Sequence, residues 1–406
     1  MPAYSQYASF DDDNLALAAP NIEERSFFNE QNSQYASFDD NNKWTLKSGR
    51  KVEDVLHEFA LKCTNEHAAH SFIINPTDST WLQHEVFTKE EVHEIATYNC
   101  SKLPVLPKHL TAFIDEFNLT DQQRIRTALW SQRDFDTAYD MNESFDKDWV
   151  RNVIHSILME IECCQLSQLH LESWYISHIW SAFDRCFGDL KEVCVIRGEF
   201  ASIASSARRN EHRLAASTAS MKRKMMGHRA DFLIRKLTVE YACGETGKSY
   251  NGENDTKLLL ERQSKLPKMM KDQLLQLFKL CDNNENMIRK LSIAGILHFG
   301  LRHTMLVMDC PAGYVCRVAP TQTFHIPTSL STFPSLLNVI KVTWKMKAFI
   351  RNMIEVVESY NGENDDEQDE IDLIRSNYRT PSPSPMKRLY VPSCVASPVK
   401  KRKSDE

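Results

Sequence analysis

The spacing of apolar residues along this chain changes near residue 180, which limits the architectures that it can adopt. Between about 50 and 180 apolar residues recur at threes and fours, as in DWVRNVIHSILMEIECC, and this spacing is typical of amphipathic helices. Beyond 180, short β-branched and aromatic runs predict strands instead. These runs are 192–198, 230–236, 237–244, 292–300, 303–309 and 313–318.

Two longer helical patterns accompany the predicted strands, one over about 256–280 and one over 333–358. Helices that alternate with strands in this order indicate a layered protein of the α+β or α/β class. We therefore predict a helical N-terminal subdomain over 46–180, followed by a mixed sheet flanked by helices over 181–358.

The two ends of the chain are polar and lack an apolar period, so disorder is predicted over 1–45, which is acidic, and over 359–406. No apolar run approaches the roughly 20 residues of a membrane helix. The 11 cysteines are scattered and do not indicate a disulfide framework, and the formal net charge is -6. These features predict a protein of a reducing compartment without a membrane partner. The duplicated segments SQYASFDD and SYNGEND indicate no function.

The densest group of chemically useful side chains lies in ADFLIRKLTVEYACGETGK. Asp231 begins one predicted strand, Glu240 and Glu245 lie on the next, and Lys248 ends it. Carboxylates bind Mg²⁺, which activates a water, and a lysine beside the scissile phosphate offsets the developing negative charge. The segment therefore predicts a Mg²⁺ site at Asp231 and Glu245. Together with Glu240 and Lys248, these acids would form a catalytic set for phosphodiester hydrolysis.

This order of elements resembles the PD-(D/E)XK nuclease superfamily over about 195–320. The resemblance implies a restriction-endonuclease-like fold, with Asp231 as the metal-binding Asp, Glu245 as the second acid and Lys248 as the catalytic lysine. In that superfamily the acid and the lysine are two residues apart, but here they are three apart. Because side chains two residues apart share a face of a strand, we predict a bulge at Gly247 that restores the common face. A regular strand there would favour a non-enzymatic nuclear interaction protein with a degenerate site.

Three other segments resemble an uncharacterised, multi-copy protein family of mucoralean fungi over about 170–350. They are RGEFASIASSARRNEHR, KLPKMMKDQL and MDCPAGYVCRV. The likeness implies a domain boundary and no particular reaction.

A second alternative uses the residues from Ala242 to Ser249, ACGETGKS. They differ from the phosphate-binding loop G-x-x-x-x-G-K-S only at the first glycine, and they follow a predicted strand. Asp309, at the end of another strand, would then hold Mg²⁺. Against this, a phosphate loop runs directly into a helix whose N-terminus faces the phosphates, and SYNGEND opens a helix poorly.

A basic segment precedes Asp231 and is compatible with a helix. Cations on one face would follow the phosphate backbone of DNA, so the segment is a candidate nucleic-acid contact. A solvated basic helix is the alternative. The residues are Arg208, Arg209, Arg213, Lys222, Arg223, Lys224 and Arg229.

The C-terminal tail resembles a bipartite nuclear import signal, in which two basic clusters bind an import receptor. One cluster is Lys387 with Arg388, and the other is Lys400, Lys401, Arg402 and Lys403. Beside each cluster stands a site for a proline-directed kinase, Ser384 and Ser397. Phosphate adds about -1.5 to -2 charge next to these bases, so we predict a nuclear protein whose import phosphorylation weakens.

Overall fold

The computed structural model describes residues 22–63, 65–211, 223–250, 252, 258, 261–375 and 387–395. Its α-helices are α1 (Ile22–Ala36), α2 (Val52–Lys62), α3 (Thr80–Gln83), α4 (Lys89–Thr97), α5 (Lys108–Asp115), α6 (Gln122–Trp130), α7 (Asp134–Thr137), α8 (Met141–Glu162), α9 (Glu172–Tyr175), α10 (Ser181–Asp184), α11 (Ile203–Arg209), α12 (Leu266–Leu280), α13 (Glu285–Ile288) and α14 (Ser335–Arg375). Its strands are β1 (Ile73–Ile74), β2 (Val193–Ala201), β3 (Arg229–Lys236), β4 (Val239–Gly247), β5 (Ser292–Phe299), β6 (Arg302–Ala312), β7 (Val315–Pro320) and β8 (Phe324–His325). Two π-helical turns lie at Ile176–Trp180 and Glu261–Lys265.

The region from α2 to α10 is mainly helical, as its apolar spacing predicts. The side chain of Asp121 caps α6 by accepting the backbone N–H of Arg124 at 2.9 Å, which satisfies a donor that the helix itself leaves free. Asp140 caps α8 in the same way. The region also contributes β1, which pairs in parallel with β7. Backbone hydrogen bonds between β1 and β7 therefore connect the helical region to the sheet.

The mixed sheet flanked by helices that the sequence predicts is confirmed. In the described residues it has eight strands in the order β1-β7-β6-β5-β4-β3-β2, and β8 pairs with β6 beside this path. Strands β4 and β5 are parallel, whereas β2, β3 and β4 form antiparallel neighbours. Parallel neighbours need a crossover connection, and α12 lies in the one between β4 and β5.

The two faces of the sheet are covered by different parts of the chain. Gly295 of β5 faces α12, because a Cβ atom there would collide with Met270. Cys243 pairs with Gly295, so Cys243 and Glu245, two residues further on, share the face beneath α12. His298 is on the opposite face, where Trp180 of the helical region stacks on it with ring centroids 3.7 Å apart.

A single apolar core runs through both predicted regions. It includes Trp81 and Ile157 from the helices, Leu274 from α12, and Val315 from the sheet. At the turn between β6 and β7, Gly313 adopts a φ of 54° that favours glycine. None of the helices in the described part of the chain is long and apolar enough to cross a membrane.

Within the ranges 1–45 and 359–406, for which the sequence predicts disorder, some described segments pack against this core. At the start, α1 is formed, and Phe38 and Trp44 are buried. Near the end, α14 continues to Arg375, and Leu389 and Val395 are buried. The sequence pattern missed these segments because their apolar residues are too few and too irregular to show a period. Residues 1–21 and 396–406 are outside the described residues.

Candidate active site

Strands β3 and β4 bring Asp231 and Glu245 together. Phe232 pairs with Gly244, so Asp231 lies directly across from Glu245 in this antiparallel pair, on the same face of the sheet. Asp231 is partly buried, and its Oδ2 accepts the backbone N–H of Thr246 at 2.9 Å. Glu245 is only 2% exposed. The two predicted metal ligands are therefore neighbours beside α12.

Lys265 supplies the positive charge at this site. It ends the π-helical turn Glu261–Lys265, directly before α12. Its Nζ lies 2.8 Å from Oε2 of Glu245 and 3.5 Å from Oε2 of Glu261. The sequence interpretation missed Lys265 and Glu261. The available signal was their four-residue spacing in the segment that leads into the helix after β4.

Electrostatic interactions couple these four groups. Burial raises the pKa of Glu245 most, the negative charges of Glu261 and Asp231 also raise it, and the hydrogen bond from Lys265 lowers it; the net result is a pKa of about 8. Burial opposes the charge of Lys265, but the bond to Glu245 and the nearby carboxylates outweigh it and raise the Lys265 pKa. Among the described residues, three acidic side chains therefore surround the ammonium group of Lys265, and a bound cation favours the ionised form of such acids.

Lys248 does not belong to this cluster, and the predicted bulge at Gly247 is wrong. Gly247 pairs regularly with Phe299 of β5, and Lys248 beyond it is exposed. A side chain at position 247 would collide with the Phe299 ring. The position two residues after Glu245 is therefore closed to a lysine. The irregularity in this hairpin lies instead between Ile234 and Arg235 of β3.

Glu240 is also separate from the cluster. Its carboxylate is fully buried and accepts hydrogen bonds from the Ser202 hydroxyl at 2.7 Å and from the backbone N–H of Ile203 at 2.6 Å. The side-chain amide of Gln273 adds a third bond at 3.2 Å. These donors attach the start of α11 and α12 to β4, so Glu240 has a structural role.

The phosphate-loop alternative is not compatible with the backbone. The residues from Ala242 to Gly247 lie in β4 and pair with β5, and β4 also pairs with β3. A phosphate-binding loop must instead curl its N–H groups around the anion. Asp309, the proposed Mg²⁺ ligand, lies within β6, where Arg317 binds both of its carboxylate oxygens.

The basic segment does not form one helical face. Helix α11 ends at Arg209, and Arg208 is used inside the protein, where its Nε donates to Asp272 at 2.7 Å. Arg209 donates to the backbone O of Met226. Arg223, Lys224 and Arg229 are exposed on the segment that leads into β3. Arg213 and Lys222 lie outside the described residues.

One of the two tail clusters is docked on the protein. Lys387 lies 2.8 Å from Glu285, and Arg388 forms a β-bridge with Asn284. Further along, the backbone O of Val395 accepts a hydrogen bond from Lys268 at 2.8 Å. Ser384, Ser397, Lys400, Lys401, Arg402 and Lys403 lie outside the described residues.

The carboxylates of the candidate site fit a water-rich Mg²⁺ site better than a site built from protein ligands alone. No group of three or more His, Cys, Asp or Glu side chains is placed to hold a metal ion in the part of the chain that is described. Mg²⁺, however, often uses one or two carboxylates and completes its shell with waters and substrate phosphate. Oε1 of Glu245 is buried and has no hydrogen-bond partner among the described residues, which makes it the candidate ligand atom of this site.

No protein-family description, curated protein or solved structure matches this chain.

Proposed function

We propose that this protein is a Mg²⁺-dependent phosphodiesterase with a nuclease-like α/β domain, and that Asp231, Glu245 and Lys265 form its active site. The observation that carries the proposal is the 2.8 Å contact between Lys265 Nζ and Glu245. It places an ammonium group beside two neighbouring carboxylates on one face of the sheet.

The regular strand at Gly247 removes Lys248 from the site and by itself favours the non-enzymatic alternative. In this proposal Lys265 takes the chemical role that the sequence assigned to Lys248. Asp231 and Glu245 would hold the metal, which supplies charge neutralisation and lowers the pKa of a bound water. Lys265 would contact the scissile phosphate and offset the negative charge that develops there. Glu261, four residues earlier, would orient the lysine through their 3.5 Å contact.

The order of the elements supports the proposal. An acid on β3, an acid on its hairpin partner β4, then α12 and β5 follow the order that the PD-(D/E)XK resemblance implies. A lysine on the strand, two residues after Glu245, is sterically excluded, because the Phe299 ring occupies the space that a side chain at position 247 would need. This agrees with the assignment of the catalytic role to Lys265.

A cleavage assay tests the proposal. Plasmid DNA and labelled oligonucleotides are incubated with Mg²⁺ or Mn²⁺ and wild-type protein, Asp231→Asn or Glu245→Gln. We expect cleavage by the wild type and at least a hundredfold loss in each variant, as for removal of charged groups that act on a transition state. Glu58→Gln, at an exposed glutamate, is the matched control. Equal, background-level cleavage by all four proteins would remove the enzymatic function and leave the alternative of a non-enzymatic interaction protein.

We also infer nuclear import from the two basic clusters of the tail. Lys387 of the first cluster also pairs with Glu285, so the second cluster, 400–403, is the one to replace. Replacing all four of its residues with alanine should abolish nuclear accumulation of a fluorescent fusion. Ser384→Asp with Ser397→Asp should reduce accumulation, since each adds negative charge beside the bases. Unchanged accumulation would refute the phosphorylation switch.

A further inference from the structure

Two buried cysteines face each other across the hairpin of β6 and β7. Asp309 of β6 pairs with Arg317 of β7. The next residues toward the turn are Cys310 and Cys316, which therefore lie opposite each other. Neither has any exposed surface (0%), and both are free thiols in this structure. Buried cysteines either pack as part of the core or carry redox chemistry, and their surroundings distinguish the two roles.

The backbone around these cysteines fits a disulfide bond. The N–H of Cys316 donates to the backbone O of Phe72 at 3.0 Å, and the backbone O of Cys310 accepts from Nη1 of Arg289 at 2.9 Å. Both cysteines therefore direct their backbone hydrogen bonds away from each other. Opposed residues of this kind in an antiparallel ladder have Cα atoms about 4.5 Å apart. A disulfide requires about 4.4 to 6.8 Å between its Cα atoms, so the two sulfurs can be joined with little movement of the strands.

Two cations act on the sulfur of Cys310. Nη1 of Arg289 lies 3.1 Å from it, and the charge of Lys271 on α12 also acts on it. Lys271 is fully buried, and its Nζ donates to the backbone O of Ser71 at 2.6 Å. Arg289 otherwise donates to the backbone O atoms of Cys310 and Gly313. Neither cation forms an ion pair with a carboxylate of the described residues. A buried positive charge without a counter-charge is unfavourable, and a thiolate supplies that counter-charge.

The two sulfurs differ in how readily they ionise. The hydrogen bond from the Cys316 thiol is the largest influence on the pKa of Cys310 and lowers it. Burial and the charge of Asp309 oppose this change, whereas the charges of Arg289 and Lys271 add to it, and the net shift is downward. The same hydrogen bond and burial raise the pKa of Cys316 well above its ordinary value. Cys310 is therefore the nucleophile of the pair, because the thiolate is the reactive form of cysteine.

Cys243 of β4 shows that burial by itself does not produce this arrangement. It is as deeply buried as Cys310. Burial, followed by the negative charges of Glu240, Glu245 and Asp272, raises the pKa of Cys243 well above its ordinary value. A buried cysteine that remains protonated is inert, so Cys243 is a natural internal control for the pair.

We propose that Cys310 and Cys316 are a redox-active pair, which hydrogen peroxide converts into a reversible disulfide. The Cys310 thiolate attacks one oxygen of the peroxide, and the O–O bond breaks. The leaving oxygen takes the proton of Cys316 and becomes water, which leaves a sulfenic acid at Cys310 and a thiolate at Cys316. This thiolate attacks the Cys310 sulfur, the S–O bond breaks, and the hydroxide leaves as water with a proton from the solvent. The two sulfurs together lose two electrons, and one peroxide is reduced to two waters.

The position of Arg289 provides a route for the oxidant. This residue is partly exposed and contacts the Cys310 sulfur, so we expect peroxide to reach the sulfur when the arginine side chain moves. In a reducing compartment such disulfides are transient and act as sensors. The inference is independent of the proposed phosphodiesterase, because none of these residues belongs to the candidate active site.

Peptide mass spectrometry tests the pair in the full-length protein. Reduced protein is exposed to hydrogen peroxide, quenched in acid, unfolded, alkylated at its remaining thiols and digested with trypsin. Residues 303–317 form one tryptic peptide with both cysteines, since no Lys or Arg lies between them. We expect this peptide to lose both alkylation sites and to regain them after reduction with dithiothreitol. Cys243, the only cysteine of the tryptic peptide 237–248, should stay alkylated. If peptide 303–317 stays reduced, or is oxidised no faster than Cys243, the inference is overturned.

Substitutions test the role of each residue. Arg289→Gln should slow the oxidation by about tenfold or more, because one pKa unit changes the thiolate fraction tenfold. Arg289→Lys keeps a positive charge and should react faster than Arg289→Gln, and Arg124→Gln, at an exposed arginine, should match the wild type. In Cys316→Ser, dimedone should label a sulfenic acid at Cys310, whereas in Cys310→Ser it should not label Cys316. Equal oxidation rates in wild type and folded Arg289→Gln, or equal dimedone labelling of the two serine variants, would refute the activated pair.

Discussion

Two acid–base pairs at the sheet, each with a buried carboxylate, differ in how many of their polar atoms have a partner. Arg317 binds both carboxylate oxygens of Asp309 and also donates to the backbone O atoms of Ile95 and Tyr98, each at 2.7 Å. In the other pair, Lys265 binds one oxygen of Glu245, and the second oxygen has no partner among the described residues. Burial raises the pKa of both carboxylates, so burial by itself does not distinguish the pairs.

The partners distinguish them. Arg317 neutralises a single acid and ties β6 and β7 to the helical region, which is what a structural ion pair requires. Lys265 faces Glu245 and Glu261, with Asp231 near enough to influence its pKa. A buried group that is left incompletely satisfied requires an explanation. At Glu245 the explanation that we propose is a bound cation, whereas both oxygens of Asp309 already have a partner.

The largest expected effect separates the two candidate lysines. Lys265→Ala should lower the cleavage rate by about a hundredfold to a thousandfold, because it removes the positive charge beside the reacting phosphate. Lys248→Ala should leave the rate within about twofold of wild type, since Lys248 is exposed and lies past the end of β4. Initial rates on one labelled oligonucleotide with Mg²⁺ measure both. A reversed order of the two losses would return the catalytic role to Lys248 and refute the site.

The second prediction concerns the structural pair. Asp309→Asn should destabilise the protein by about 3–5 kcal/mol, because it leaves the buried guanidinium of Arg317 without its counter-charge. Urea unfolding monitored by circular dichroism measures this change. Asp115→Asn is the matched control: its partner Lys341 lies at 2.7 Å, but both side chains are substantially exposed, so the loss should stay below about 1 kcal/mol. Equal losses in the two variants would show that the Asp309 pair is not a structural anchor.

The comparison of the two pairs also shows which parts of the fold and of the site could be predicted from the sequence. Apolar periods were sufficient to predict strands β2 to β7, α12 and the fold class, because each pattern involves residues that are close in the chain. The two-residue strands β1 and β8 are too short to show a period and were not predicted. Asp231 and Glu245 could be predicted because a hairpin brings them together. Lys265 could not be predicted, since it lies near Glu245 only because the connection that carries α12 folds back over the sheet. Glu240 was assigned to the site in error, because its structural donors, Ser202 and Gln273, come from distant segments.

The third prediction concerns the opposite face of the sheet. His298 Nε2 lies 2.9 Å from His303 Nδ1, and both rings are buried. Burial, and then the charge of Arg197, lowers the pKa of His298 well below its ordinary value and that of His303 to about 3. Both histidines are therefore neutral in the folded protein, and the unfolded chain binds protons more readily below its histidine pKa of about 6.5. The contribution of the two histidines to the free energy of unfolding is then fully present above about pH 6.5. It falls as the pH drops, by at most about 1.4 kcal/mol per pH unit for each histidine.

Urea unfolding at pH 7.5 and pH 5.5 measures this effect. His303→Gln should lose about 1 kcal/mol less stability over that interval than wild type, because one of the two neutral rings is gone. His84→Gln, at an exposed histidine, should keep the wild-type dependence. If His303→Gln also kept it, the acid sensitivity would arise elsewhere, and this face would contribute only packing.

The smallest change in stability is expected for a substitution of Glu245, and it tests whether the Glu245–Lys265 pair differs from the structural pair of Asp309 and Arg317. Glu245→Gln should change the free energy of unfolding at pH 7 by less than about 1 kcal/mol, and toward greater stability, because it removes a carboxylate that burial disfavours while keeping an acceptor for Lys265. Unfolding without divalent ions measures this change. Added Mg²⁺ should stabilise the wild type through binding to the folded state, and should stabilise the variant less. A loss as large as that of Asp309→Asn would instead place the Glu245–Lys265 pair among the structural anchors, because only an anchor loses stability when its counter-charge is neutralised.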